Sequence, residues 1–388
     1  MRRAFRYRLW TNANQERELG IALETHRRLY NACLEQRKTA YESERRTVKY
    51  TEQSAWFKDE RTVNAFFARL NFSSAQATMR RLDRAFQAFF RRRAAGGKSG
   101  YPRFKGKDRF DSIEFPAYRD GICLHGTRLY VQHVGTIRVK LHRPMEGTIK
   151  TVTLKREAGK WYVAFSCELR DVPVADNGKP AVGIDVGLKS FLTTSDGIRE
   201  PNPRYLKNAL PKLRITRRAI SRKKKGGKNR HKAVRRLQRI HARVRNLRRE
   251  HHHRVALRLV RRYGFIAAES LNVRGMLRNG RLSRAIADAG WSGFLLTLRC
   301  KAESGGIRFV EVDPKGTSQE CNRCGREVRK ALSDRWHDCP HCGLSLDRDH
   351  NASLNILARG LARTEPVPGN VVLKNKRPAR SRRLQPTE

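Results

Sequence analysis

The chain has 388 residues and a formal net charge of +49, from 85 Lys and Arg against 36 Asp and Glu. A surplus of that size repels itself unless a polyanion neutralises it, which favours nucleic acid, whose phosphates release condensed counterions on binding, over an anionic membrane or a merely highly charged soluble protein. The sequence lacks an 18-residue apolar run and MRRAFRYRLW lacks an apolar h-region, so neither a transmembrane helix nor a secretory signal is expected.

At the start, Phe5, Tyr7 and Leu9 alternate with Arg6 and Arg8, a strand pattern. From about Asn14 to Glu44, Leu19, Leu23, His26, Tyr30, Cys33 and Leu34 share one helical face. A second helix is expected near Ser73, where Ser73 and Gln76 have capping-box spacing, with Met79, Leu82, Phe86, Phe89 and Phe90 turned inward; the glycines of AAGGKSGYPRFKGK end it. Residues 112–170 hold short alternating runs, SIEFPAY, RLYVQHV, TIRVKL, KTVTLKRE and KWYVAFSCEL, the signature of antiparallel strands in a small barrel or curled sheet that the opening strand joins. VPVADNGKP (172–180) is a boundary loop. PAVGIDVGLKSFLTTSDG then reads as a hairpin. A very basic helix of roughly 30 residues follows, spanning about 45 Å, with a narrow seam of Val234, Leu237, Ile240, Val244 and Leu247 and Arg on its other faces. FIAAESL (265–271) and IRFVEVD (307–313) are strands around a helix at 285–304, another helix covers 351–361, and 364–388 is a disordered basic tail.

Cysteine placement carries a metal signal. Cys321-Asn-Arg-Cys324-Gly and Cys339-Pro-His-Cys342-Gly are two C-x-x-C-G turns with 14 residues between Cys324 and Cys339. Each turn offers two thiolates from one tight loop, and four cysteines close a tetrahedral site, so a structural zinc is expected. Cys33, Cys123, Cys167 and Cys300 are scattered, which suits reduced thiols in a cytoplasmic compartment. His337 and His341 are surplus to the four ligands and read as surface residues.

Three acids stand where a solvated role fits poorly. Asp185 lies inside the apolar run VGIDVG, Glu269 ends FIAAES, and Asp349 opens the helix after the cysteine turns. Each alone has an ordinary reading: Asp185 as a turn residue, Asp349 as a helix cap. Together they offer the acidic oxygens from separate elements that a two-metal phosphodiesterase needs.

VGIDVGLKSFLTTSDG, IAAESLNVRGM, TSQECNRCG, CPHCG and DRDHNASLNIL occur in the order and style of the TnpB (OrfB) family of insertion-sequence transposons, related to the type V CRISPR effectors. GYPRFKGK, the arginine-rich helix and the N-terminal helix also resemble it. The resemblance implies an α/β fold with an RNase H-like (RuvC-type) nuclease domain at 176–316 and 346–363, carrying an inserted zinc knuckle at 317–345. It further implies a wedge-like β-barrel at 1–10 and 97–175 and a helical recognition lobe at 11–96. Asp185, Glu269 and Asp349 match the family's catalytic acids, with Asp347 the runner-up to Asp349. Catalytic Mg²⁺ or Mn²⁺, a guide RNA from the transposon end, a double-stranded DNA target beside a short motif, and a monomer bound to its RNA near the prokaryotic nucleoid are likewise implied.

Other signals weigh less. His251, His252 and His253 are consecutive on a helix and face three directions, Asp313 suits a loop cap, and Asp196 a turn. Rival readings are an RNA-independent transposase or resolvase of the same fold, a guide-dependent DNA-binding repressor without cleavage, and a ribosomal-type RNA-binding protein.

Overall fold

The opening alternation becomes strand β1 (Arg2–Trp10), with Phe5, Tyr7 and Leu9 buried and the arginines between them half-buried. The computed structural model describes residues 1–363 apart from 98, 108, 176, 332 and 333; the basic tail expected at 364–388 lies outside the described residues. The chain divides into two compact units, Met1–Asp171 with Lys212–Ala242, and Val172–Pro211 with Arg243 onward.

In the first unit, helix α1 (Ala13–Glu44) opens on a reciprocal capping box. The Asn12 side chain accepts the Gln15 amide at 2.8 Å and the Gln15 side chain accepts the Asn12 amide at 3.0 Å, satisfying two donors that the first turn leaves over. The whole expected face is buried, Leu19 through Leu34. Helices α2 (Tyr50–Val63) and α3 (Ala65–Ala68) follow, neither foreseen from the sequence. Helix α4 (Phe72–Ala94) is capped by Asn71, which accepts the Ser74 amide at 2.9 Å; the cap expected at Ser73 is corrected to a residue two positions earlier. Phe90 is 55 % exposed, against expectation, because Phe89 takes the inward position and its neighbour is rotated about 100° away.

Seven strands complete the unit: β1 with β2 (Ser112–Phe115), β3 (Ile122–His125), β4 (Arg128–Val131), β5 (Gly135–Lys140), β6 (Thr148–Glu157) and β7 (Lys160–Glu168). They form one antiparallel sheet in the order β2-β6-β7-β1-β5-β4-β3. The first strand sits at its centre, with Phe5 opposite Phe165 on β7 and Leu9 opposite Val139 on β5. The edge strands β2 and β3 do not pair with each other, so the expected barrel is approached without closing. Helices and sheet share one core, in which Tyr7, Leu19, Tyr30, Met79, Phe110 and Phe165 meet.

In the second unit the expected hairpin is β8 (Ala181–Asp185) and β9 (Ser190–Thr194), extended by β10 (Arg199–Pro201). The basic stretch forms two helices, α5 (Tyr205–Ser221) and the 35-residue α6 (Lys228–Arg262), of which residues 212–221 and 228–242 belong to the first unit and the rest to this one. The N-terminus of α5 is held by buried Asp288, which accepts the amides of Leu206 and Lys207 and pairs with Arg248. Of the expected seam on α6 only Val244 is buried; Val234, Leu237 and Ile240 are half-buried and Leu247 is exposed. Then come β11 (Phe265–Glu269), α7 (Val273–Met276), α8 (Ser283–Ala289), α9 (Trp291–Ser304), β12 (Arg308–Val312), β13 (Trp336–Asp338), β14 (Ser345–Asp347) and α10 (Arg348–Ala362). The helix expected over 285–304 is split between α8 and α9 at Gly290, which has φ 69°.

The main sheet of this unit has the order β10-β9-β8-β11-β12, with β11 parallel to both β8 and β12 and the others antiparallel. Its core contains Val182, Ile184, Phe191, Ile266, Trp291 and Phe294. Helix α10 lies on β8 so closely that a Cβ on Gly183 would stand 2.1 Å from the Ser353 carbonyl oxygen and 2.6 Å from the Leu357 nitrogen. Backbone cannot yield as a flexible side chain can, so Gly183→Ala is expected to cost about 3 kcal/mol or more, the upper range of overpacking. Gly20→Ala, in α1 with nothing within 4 Å of the added atom, should instead be neutral or slightly stabilising. Paired denaturant melts check this; equal midpoints for the two variants would refute the close approach. Among the described residues, no helix is long and apolar enough to cross a membrane.

Candidate functional site

Two of the three acids leave the sheet side by side. Strands β8 and β11 are parallel and in register through Ile184 opposite Ala268, and the next residue on each is Asp185 and Glu269. The chain switches at β8 from an antiparallel neighbour, β9, to a parallel one, β11. Asp349 enters in the first turn of α10, its Oδ2 3.8 Å from where a Cβ on Gly187 would stand, over the bend that follows Asp185.

The electrostatics register this convergence. Burial first, then the charges of Glu269 and Asp349, push the Asp185 carboxyl well above the ordinary aspartate range, against the opposing pull of Arg348. Burial also raises Glu269, against a hydrogen bond from Thr317 and the charge of Arg359. A buried acid crowded by like charge, as Asp185 is, is costly unless a cation or a function offsets it. The hard oxygen donors of the three acids fit a magnesium-like ion.

The cap role weighed for Asp349 belongs to Asp347. That side chain accepts the amides of Asp349 and His350 at 3.0 and 3.3 Å, and its other oxygen meets Arg199 at 3.0 Å. His350 Nε2 lies 3.1 Å from the Ser195 carbonyl oxygen, tying the first turn of α10 to the turn after β9. Asp196, in that turn, also accepts the Tyr263 hydroxyl at 2.5 Å and pairs with Arg262. Asp313 is exposed and accepts the Lys315 amide, a loop cap.

The four cysteines meet. Their sulfurs all lie within 4.8 Å of one another, the one such group of possible metal ligands among the described residues. Cys321 to Cys342 and Cys324 to Cys339 are each 3.6 Å apart, far beyond a disulfide of about 2.05 Å. Four sulfurs tetrahedrally disposed about zinc, at about 2.3 Å each, stand about 3.8 Å apart, so the donor set fits zinc. Each turn closes through a glycine in the left-handed region, Gly325 at φ 72° and Gly343 at φ 69°, whose amide returns to the first cysteine's carbonyl. Burial opposes ionisation of Cys339, but the His341 and Cys342 amides together with the Cys324 and Cys342 sulfurs outweigh it and hold that thiol down to about 6. β13 and β14 pair as a hairpin, and β14 runs directly into Asp347 and α10.

The histidines divide. His341 is exposed as expected, but His337 is fully buried beside Lys330 Nζ; the surface reading is corrected, because its strand β13 turns this residue inward between exposed Trp336 and Asp338. His251 and His252 pack on Phe191, ring centroids 4.7 and 5.5 Å away, and His252 Nε2 lies 2.9 Å from the Ala289 oxygen. They are core aromatics. Sequence reasoning missed a polar set around Glu269: Thr317, Asn351, Asn355 and Arg359. The last three recur every fourth residue on α10, a stripe that helical periodicity could have marked.

With this geometry described, comparison with known proteins adds three findings. Three family models match, described as "Probable transposase" over residues 164–280, "Cas12f1-like, TNB domain" over 291–356 and "Helix-turn-helix domain" over 1–46; the last stretch is filled here by β1 and α1. A Streptomyces pristinaespiralis protein named "Putative RNA-guided DNA endonuclease" is 35% identical over 371 residues, covering 93% of this chain and 90% of its own length. One named "Putative RNA-guided DNA endonuclease InsQ", from Escherichia coli K12, is 29% identical, covering 92% of each. Among solved structures, "Structure of the mini-RNA-guided endonuclease CRISPR-Cas_phi3" aligns over 93% of this chain and 92% of that one, with a TM-score of 0.51 at 11% identity, a likeness of fold.

Proposed function

The chain belongs to the TnpB (OrfB) family, and from that premise we propose that it is an RNA-guided DNA endonuclease, hydrolysing phosphodiester bonds of a target beside a short transposon-associated motif. The observation that carries this reading is that Asp185 and Glu269 stand at two adjacent strand ends and Asp349 at a helix start near enough for its charge to act on Asp185. The second unit is then the RNase H-like, RuvC-type domain, a reading supported by its sheet of three antiparallel strands continued by two parallel ones. The helices and seven-stranded sheet of the first unit serve as recognition and wedge parts.

In this mechanism Asp185, Glu269 and Asp349 hold two Mg²⁺ or Mn²⁺ ions. Bound there, the ions supply Lewis acidity to the attacked phosphate and to the leaving oxygen. The protein's part is positional. Strand register fixes Asp185 beside Glu269, and the Asp347 cap and the His350 contact fix the turn that carries Asp349. Cys321, Cys324, Cys339 and Cys342 hold the structural zinc. The basic surface, including the arginine-covered faces of α6, contacts phosphate backbones, leaving sequence to be read by pairing with a guide RNA derived from the transposon end. The protein works as a monomer with its RNA, in the cytoplasm at the nucleoid.

The test is to purify the protein, sequence the RNA that accompanies it, and offer plasmids matching that RNA. Mg²⁺-dependent cutting is expected only with RNA and a matched target. Cutting of transposon ends by RNA-free protein would replace this reading with a transposase, and matched binding without cutting with a guided repressor. A second expectation separates the two aspartates of DRD. Asp349→Asn should silence cutting, whereas Asp347→Asn keeps the cap oxygen and most activity, and Asp347→Ala loses about 1 kcal/mol of stability. Equal silence of Asp347→Asn and Asp349→Asn in the cleavage assay would return Asp347 to the site.

A further inference from the structure

Glu269 is gripped by the loop that runs on from its neighbouring strand β12. Thr317, 2 % exposed, places Oγ1 2.5 Å from Glu269 Oε1 and 3.0 Å from the Pro314 carbonyl oxygen. A hydroxyl has one hydrogen, and the nearer, charged acceptor takes it. The carboxylate is thereby fixed in rotation by a residue 48 positions away in sequence.

Thr317 is in turn held by one face of α10. Asn355 Nδ2 donates to the carbonyls of Thr317 and Glu320, both at 2.8 Å. Asn351 Nδ2 donates to the Glu320 carbonyl at 2.7 Å, and its oxygen accepts the Asn322 amide at 3.0 Å, between Cys321 and Cys324. Arg359 reaches the carbonyls of Asp313 and Lys315 and pairs with Glu320. Asn351 is fully buried and Asn355 nearly so. Buried carboxamides with both ends satisfied rigidify what they join; here they join the first cysteine turn to the loop that carries Thr317.

Resting on the nuclease reading above, we infer that the cysteine knuckle acts as a clamp on the catalytic centre, with the Thr317 hydroxyl as the positioning group that orients Glu269. Thr317 acts through the Glu269 carboxylate. Such outer contacts set ligand orientation, and their loss lowers metal affinity or turnover by about 10-fold to 100-fold.

The experiment uses the full chain with its RNA and compares Thr317→Val, which keeps the shape and removes the hydroxyl, with Thr317→Ser, which restores it. In Thr317→Val the Mg²⁺ concentration for half-maximal cleavage should rise about 10-fold or more, and kcat fall while KM for target DNA stays. Mn²⁺ titration of the protein–RNA complex without DNA, followed by electron paramagnetic resonance, should show the same weakening while zinc content is unchanged. Thr317→Ser should recover both. A valine variant with wild-type Mn²⁺ affinity and turnover, or a serine variant as impaired as valine, would overturn the inference. Glu269→Gln separates the two levels: if it still cuts, the site reading fails, and if it is silent while Thr317→Val is normal, the clamp alone fails.

Discussion

Replacing Asp185 with alanine is expected to abolish target cleavage while RNA binding persists. Asp185 is the acid on which the other two charges act, and it leaves the central strand of its sheet. Removing it takes away the acid that both other charges act on, so a loss of about 10²–10³-fold or more is expected, the range for removing one preorganised electrostatic group. RNA binding depends on the basic surface, which one buried-site substitution does not alter. A companion variant, Asp185→Asn, carries an expectation of opposite sign for stability. The folded-state pKa of Asp185 is raised above the unfolded value. Below the ordinary aspartate range the group is neutral in both states and costs nothing; as pH rises past that range, ionisation favours the unfolded chain. At neutral pH without divalent ions, the amide should therefore stabilise the fold by about 1 kcal/mol, as is common where function is built against stability. Cleavage assays and thermal melts at pH 7.5 in chelator check both; a silent but less stable Asp185→Asn would contradict the crowded-acid account.

What could be read in advance follows the range of the interactions. The face of α1 is legible because Leu19, Leu23, His26, Tyr30, Cys33 and Leu34 keep helical spacing and all are buried. Helix α2 escapes because its buried side chains are only Gln53 and Phe57, too few to show a period. Ser73 and Gln76 carry capping-box spacing, yet Asn71 holds the cap, since the start depends on where the preceding chain turns. The break at Gly290 is a single left-handed residue within a continuous apolar pattern. The cysteine cluster is legible because each C-x-x-C-G turn is a local object whose geometry its own residues fix. The acids are a middle case. The apolar runs around Asp185 and Glu269 mark both as unusual, whereas Asp349 was preferred to Asp347 on the family resemblance alone, and the cap geometry of Asp347 accords with that preference. Thr317 was out of reach, because its partner lies on a strand that only the fold makes adjacent.

Removing the knuckle's metal should have the second large effect, and should propagate from stability to function. Cys321→Ser with Cys324→Ser is expected to release about one zinc per chain, measured by a chromogenic chelator on denatured protein. Structural zinc in small peptide domains contributes roughly 10–16 kcal/mol of apparent binding energy. Here much of α10 and the sheet is held by its own core, so a smaller loss of about 3–5 kcal/mol is expected, the cost of removing one partner set from a buried polar assembly. Metal affinity should also fall steeply as the pH is lowered. Cys339 is drawn down to about 6, while for Cys342 the pull of the Leu344 amide is outweighed by burial and by hydrogen bonds with Cys321, Cys339 and Cys324, which push it up to about 12. The metal-free turns therefore keep protons at neutral pH that zinc must displace, and acid reverses the exchange. Because Asn322 and Glu320, on either side of Cys321, are bonded to Asn351, the loosened turn should carry the Thr317 loop with it. Metal-depleted protein should therefore lose cleavage before it loses RNA, and a chain whose cutting survives full zinc release would show that the knuckle and the acids are independent.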